Sequence, residues 1–131
     1  MAKTFRQMVK EARSHVKVIS AREAKPIIER GAAMLIDVRE AWEIAQHGTI
    51  PGARNITRGE LEIRADTELP RRDPALAARG QKIFLTCGAG GKSTLCAKAL
   101  GDMGFTDVWV IDGGCRGWKD AGYDLAVPPE Q

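Results

Sequence analysis

Histidines, aromatic residues and pairable cysteines are all scarce in this chain, and each shortage excludes a class of function. Two histidines and three cysteines in 131 residues show no paired ligand spacing, so no metal site is expected. An odd number of cysteines cannot form a closed disulfide framework within one chain. Aromatics make up only 5%, and 20 Lys and Arg against 17 Asp and Glu give a net charge of +3 with the signs interspersed. Arg71-Arg72 is the densest purely basic spot, and it stands beside Asp73. Nucleic-acid binding wants a basic stripe, often with stacking aromatics. Neither is visible, so no nucleic-acid partner is expected. No run approaches the ~20 apolar residues of a membrane span, so no membrane partner is expected either. The opening segment MAKTFRQMVKEAR carries charges throughout and lacks the apolar core of a secretory signal. A cytoplasmic location with reduced thiols is the expectation.

What is present describes one globular domain. Apolar residues are 44% and charged residues 28%, an ordinary mix for a folded chain. The length suits a single core of reasonable size. Phe5, Met8, Val9 and Ala12 fall on one helical face, and Val16 continues the stripe. This predicts an N-terminal helical extension over 1–15, either packed on the domain as a lid or used as a dimer contact. Monomer and homodimer both fit.

The domain itself is expected over 16–127, with a tail at 128–131 that Pro128-Pro129 loosens. Val16 to Ile19 reads as an edge strand. Ser20 and Glu23 form a capping box ahead of a helix that runs to Arg30 and stops at Gly31. Ala33 to Val38, Lys82 to Thr86 and Asp107 to Ile111 are apolar runs of the kind buried on both faces of a parallel sheet. Ala53 to Ile56 predicts a brief further strand. Helices are expected over Glu40 to Gln46, Glu60 to Ala65, Ser93 to Met103 with Leu95, Ala99 and Leu100 inward, and Cys115 to Ala121. A small helix from Asp73-Pro74 to Ala78 breaks the polar middle. Trp42, Trp109 and Trp118 are expected to anchor core and helix packing. Strands alternating with helices imply an α/β fold with a central, mostly parallel five-stranded sheet and helices on both faces. In such sheets, sites lie at the carboxyl ends of strands. Asp37-Val38-Arg39, the Cys87 loop and Asp112-Gly113-Gly114 gather there.

The sharpest motif is Thr86-Cys87-Gly88-Ala89-Gly90-Gly91-Lys92-Ser93. A cysteine directly follows a buried strand, and a helix begins shortly after. Three glycines and an alanine leave almost nothing projecting into the loop. Such a loop can curl until its amides converge on one point. That point also faces a helix N-terminus, with roughly half a positive charge, and Lys92 adds a full one. Together these stabilise an anion on sulfur.

Four blocks in order resemble the single-domain rhodaneses, a sulfurtransferase family. They are Leu35-Ile36-Asp37-Val38-Arg39-Glu40 with Glu43 downstream, Gly48-Thr49-Ile50-Pro51-Gly52-Ala53-Arg54-Asn55, Cys87 to Ser93, and Gly104-Phe105 through Trp118. The resemblance covers about residues 16 to 127. It implies the rhodanese-like fold, a catalytic Cys87 and no cofactor. It also implies transfer of a sulfane sulfur through a Cys87 persulfide, cradled by loop amides from Gly88, Ala89, Gly90, Gly91, Lys92 and Ser93. The donor would be thiosulfate, a persulfide or a polysulfide. The acceptor would be cyanide or a thiol, with a protein persulfide as a further kind of partner. Asp37 would brace the site, and Arg39 has two readings, a brace or a direct substrate contact. The chain departs from the family pattern at Gly88 and Lys92, where Arg is common, at Ala89, and at Thr49, which stands in place of a His. His47, two residues earlier, is read as a surface residue. The lost charge predicts weak binding of dianionic thiosulfate.

Other readings stand beside this one. Phosphatases and arsenate reductases use a related fold, and the resemblance gives their loop one more residue and an Arg fork. A non-catalytic partner-binding module on the same fold is a third reading. Gly91-Lys92-Ser93-Thr94 looks like the end of a nucleotide-binding P-loop, but its first Gly falls on Thr86 and too little chain follows. Cys96, inside a helix, is expected to be core. Cys115 stands beside Gly113-Gly114 and has two readings, a rim residue or a resolving thiol for Cys87.

Overall fold

The computed structural model describes residues 2–127, and the expected tail at 128–131 lies outside them. Five strands form one sheet: β1 (Lys17–Ile19), β2 (Met34–Asp37), β3 (Arg54–Asn55), β4 (Ile83–Thr86) and β5 (Val108–Ile111). Their order is β1-β5-β4-β2-β3, and every pairing is parallel. The expected mostly parallel sheet is thus wholly parallel, and an antiparallel bridge between Thr49 and Ala126 stands outside it. Six helices surround the sheet: α1 (Phe5–Arg13), α2 (Ala21–Glu29), α3 (Ala41–His47), α4 (Arg58–Ala65), α5 (Gly91–Asp102) and α6 (Gly114–Asp120). Pro74–Leu76 makes one 3-10 turn, shorter than the helix expected to Ala78.

Side-chain alternation divides the interior into two cores. Ile36 of β2 and Ile83 and Leu85 of β4 point to one face, with Leu61, Cys96 and Leu100. Leu35 and Phe84 point to the other, with Ala24, Ile111 and Trp118. Successive residues of a strand face opposite sides, so a strand buried on both faces must be apolar throughout. This is why all four residues of β4 are buried.

Local capping sets the helix starts. Thr4 and Gln7 form a reciprocal capping box at α1. At α2 the expected box is only half formed. Ser20 Oγ accepts from Glu23 N–H at 3.1 Å, but the Glu23 carboxylate takes the Ser20 hydroxyl at 3.0 Å rather than a backbone amide. Helix α1 packs against α5, burying Ala12, and Arg13 pairs with Asp112 at 3.1 Å. The extension packs on the domain, which is one of its two expected roles.

Two packing expectations are corrected. Trp42 is 64% exposed. Helix α3 buries Ile44, and a residue two positions away lies about 200° around the helix, on the opposite side. Helix α5 turns Thr94, Cys96, Ala97 and Leu100 inward, whereas Leu95 and Ala99 are half-buried. Leu95 lines a hollow with Met8 and Ala12 of α1, so α5 is covered from outside as well as by the sheet. Trp118 is buried as expected, and Trp109 is half-buried on β5.

Candidate active site

The carboxyl ends of β2, β4 and β5 meet at one edge of the sheet, and three segments leave from them side by side. Cys87 follows β4 directly. It is buried, with 2% exposure. Its Sγ accepts the Gly90 N–H at 3.0 Å and lies 3.4 Å from Ser93 Oγ. The chain can curl back onto its own cysteine because Gly90 has φ +109°, a conformation side chains resist. Helix α5 then opens at Gly91, two residues earlier than expected, so Lys92 and Ser93 belong to its first turn rather than to the loop. The first amides of a helix have no intrahelical acceptor, and here that first turn adjoins the sulfur. Of the six residues expected to cradle the sulfur, Gly90 contributes the backbone donor and Ser93 a hydroxyl.

The loop is held from behind by α6. The N–H groups of Cys115 and Arg116 donate to the carbonyls of Cys87 and Gly88, at 2.7 and 3.0 Å. Gly114 is required for this approach. Its φ is +60°, and a Cβ there would lie 2.4 Å from the Cys87 carbonyl oxygen.

Beneath the loop, β2 delivers a buried ion pair. Arg39 donates from Nη2 and Nε to the Asp37 carboxylate at 2.8 and 3.1 Å, and Asp37 Oδ1 also accepts the Arg39 N–H at 2.9 Å. Thr49 donates its hydroxyl to Asp37 Oδ2 at 2.6 Å, and Arg39 Nη2 donates to the Gly48 carbonyl at 2.7 Å. Burial is the largest influence and opposes the Arg39 charge, but the hydrogen bond with Asp37 and the charges of Cys115, Asp37 and Glu43 together raise its pKa. The Cys115 thiol belongs to this cluster, 3.3 Å from Arg39 Nη2 and 3.6 Å from Thr86 Oγ1. Burial pushes the Cys115 thiol up. Cys96 lies in the core as expected, and burial pushes its thiol well above the ordinary 9.0, to about 12.

The cysteine opens into a small pocket of about 220 Å³, lined by Phe5, Arg39, Glu43, Cys87, Gly88, Ala89, Gly91 and Lys92. Arg39 therefore both braces Asp37 and forms part of the wall. Lys92 Nζ is 3.6 Å from Glu43 Oε2, so each cation at the pocket has its own carboxylate. A Cβ at Gly88 would meet nothing within 4 Å, so the start of a side chain is sterically allowed there. His47 is exposed. Among the described residues, no group of three His, Cys, Asp or Glu could hold a metal, and no helix is long and apolar enough to cross a membrane.

Sequence reasoning gave four contributors no role in the site, although it placed Gly114 at this sheet edge. Thr49 registered only as a departure, although its block placed it near Asp37. Asn55 closes that block, donating to the Asp37 and Arg39 carbonyls at 3.0 and 2.8 Å. Gly114 read as half of a turn. Phe5 read as one residue of an amphipathic stripe, with no local signal linking it to Cys87.

Comparison with known proteins finds relatives that share this fold. A solved structure from Rhodopseudomonas palustris, of a protein of unknown function described as a possible tyrosine phosphatase, is 32% identical. The match covers 96% of both chains with a TM-score of 0.88. The human single-domain sulfurtransferase TSTD1 is 27% identical at a TM-score of 0.69, over 80% of this chain and 96% of that one. The thiosulfate sulfurtransferase GlpE of Ectopseudomonas mendocina is 28% identical over 109 residues, covering 81% of this chain and 87% of its own. The Rhodanese-like domain model matches residues 20–121, from the cap of α2 to the end of α6. This chain belongs to the rhodanese-like domain family.

Proposed function

We propose that this chain is a sulfurtransferase that carries a sulfane sulfur on Cys87. The observation that carries the reading is the Cys87 sulfur at the floor of a pocket, 3.0 Å from the Gly90 N–H and beside the first turn of α5. A preorganised donor at this position stabilises the negative charge that develops on sulfur during covalent transfer. In the first half-reaction the Cys87 thiolate attacks the outer sulfur of a donor. The donor's S–S bond breaks, and its electron pair leaves on sulfite or on a thiolate. In the second half-reaction cyanide or an acceptor thiolate attacks the terminal sulfur of the Cys87 persulfide and restores the thiolate. The relatives named as sulfurtransferases support the same reading.

A second reading follows from the Rhodopseudomonas palustris neighbour, described as a possible tyrosine phosphatase. Two features weigh against it. The basic residue follows Cys87 after four residues, and it is Lys92 rather than a forked guanidinium. Its ammonium is also paired with Glu43. The two readings separate in one experiment. Wild type and Cys87→Ala are assayed for thiocyanate formation from cyanide and a sulfane donor, and for hydrolysis of an aryl phosphate. Cys87-dependent thiocyanate without phosphate release is the expected result. Cys87-dependent phosphate release without thiocyanate overturns the proposal.

A further inference from the structure

Helix α1 is separated from the Cys87 loop by most of the chain, yet it supplies part of the pocket wall. Phe5, its first residue, lines the pocket with Gly88, Ala89 and Gly91. Phe5 is 51% exposed, so its apolar surface stays open to a molecule that enters the pocket. Gly91 is shaped for the ring. A Cβ at Gly91 would lie 3.1 Å from Cε2 and Cζ of Phe5 and 3.6 Å from Cγ2 of Val9. Gly91 does not have the positive φ that marks Gly90, so a side chain there would be crowded by the ring and not strained by the backbone. The pocket's charges add a second constraint. Arg39 is paired with Asp37 and Lys92 with Glu43, so a dianionic donor meets no unpaired cation. An apolar substituent meets an aromatic face, Ala89 and two glycines.

We propose that Phe5 is a specificity-determining residue of the Cys87 pocket, and that its ring seats the apolar chain of an organic persulfide donor, R–S–SH. The inference rests on the sulfur-transfer reading above and names its donor class. The Cys87 thiolate attacks the outer sulfur, forming the Cys87 S–S bond as the donor's S–S bond breaks. The electron pair leaves on R–S⁻, and the proton carried by the transferred sulfur passes to that thiolate. Nothing is oxidised or reduced overall. The departing R group is the part that lies against Phe5.

The test uses the full chain with methyl and butyl persulfide, two donors alike in their reacting atoms and different only in apolar length. The rate of sulfur gain at Cys87 is followed by intact mass for wild type, Phe5→Ala, Phe5→Leu and Gly91→Ala. Contact of a butyl chain with one aromatic face predicts roughly a tenfold preference for butyl over methyl in wild type. The preference should fall to about twofold or less in Phe5→Ala, and should fall less in Gly91→Ala, whose methyl only crowds the ring. Phe5→Leu, which restores an apolar wall, should keep an intermediate preference. A wild type without preference, or a preference unchanged in Phe5→Ala, overturns the role of Phe5 and leaves sulfur transfer standing. Failure of both donors to label Cys87 while thiosulfate labels it overturns this inference alone, and failure of thiosulfate and both persulfides overturns the transfer reading with it.

Discussion

Cys87 and Cys115 occupy the same sheet edge and are joined through the backbone, since the Cys115 N–H donates to the Cys87 carbonyl at 2.7 Å. Their thiols nevertheless sit in opposite cores, one on each face of the sheet. The Cys87 sulfur meets a backbone N–H, a serine hydroxyl and an open pocket. The Cys115 sulfur meets the buried Asp37–Arg39 pair and Thr86. Two residues of the same type at one edge thus have different chemistry available. One is presented to small molecules. The other completes a buried network at 3% exposure, so it belongs to the core rather than to the rim, and its surroundings do not favour a role in resolving a Cys87 persulfide.

The contrast can be broken most forcefully from the buried side. Asp37→Ala leaves the Arg39 guanidinium buried without its carboxylate, and should cost about 3–5 kcal/mol in urea unfolding. A loss below about 1 kcal/mol would mean that water already reaches the pair.

Alkaline pH probes the buried thiols. A thiol whose pKa is raised in the folded chain stabilises the fold fully below its unfolded value, and that stability is lost as pH rises through the folded value. For Cys96 the window runs from 9.0 to about 12. Unfolding free energy should therefore fall by about 1 kcal/mol per pH unit above pH 9, and Cys96→Ala should flatten the slope. Cys115→Ala contributes in the same direction but tests the comparison itself. It should destabilise by about 1–2 kcal/mol, while Cys87 labelling stays within about threefold of wild type and no Cys87–Cys115 link forms under oxidant. Loss of labelling would show that the two cysteines share one reaction.

The smallest effect is expected on the open side. Gly88→Arg adds a cationic side chain at a position where a Cβ meets no neighbour. Stability should stay within about 0.5 kcal/mol of wild type, while KM for thiosulfate falls severalfold as an unpaired cation enters the pocket. An unchanged KM would show that charge at this position does not govern thiosulfate binding.

Most of the fold was legible because its signals are local. Apolar runs such as Ile83 to Thr86 mark a strand buried on both faces, and their alternation with helices allows few topologies. The Cys87 loop was legible for the same reason, since strand, cysteine, glycines and helix are contiguous. What escaped depends on contacts between distant segments. Trp42 looked like a core anchor because its size says nothing of which side of a short helix it occupies. Gly114 is glycine because the Cys87 carbonyl fills the space a side chain would take. Phe5 reaches the pocket only because α1 folds back onto α5. Helix α5 starts at Gly91 rather than Ser93 because Gly90 provides the turn one residue before it.

The account's central claim is that Cys87 accepts and releases a single sulfur atom. Intact mass spectrometry after incubation with thiosulfate, polysulfide or an alkyl persulfide tests it directly. The predicted result is a gain of about 32 Da, one sulfur atom, in wild type. The gain should be lost on adding cyanide and should be absent from Cys87→Ala. A chain that gains no mass with any sulfane donor, or gains it equally without Cys87, would contradict the account.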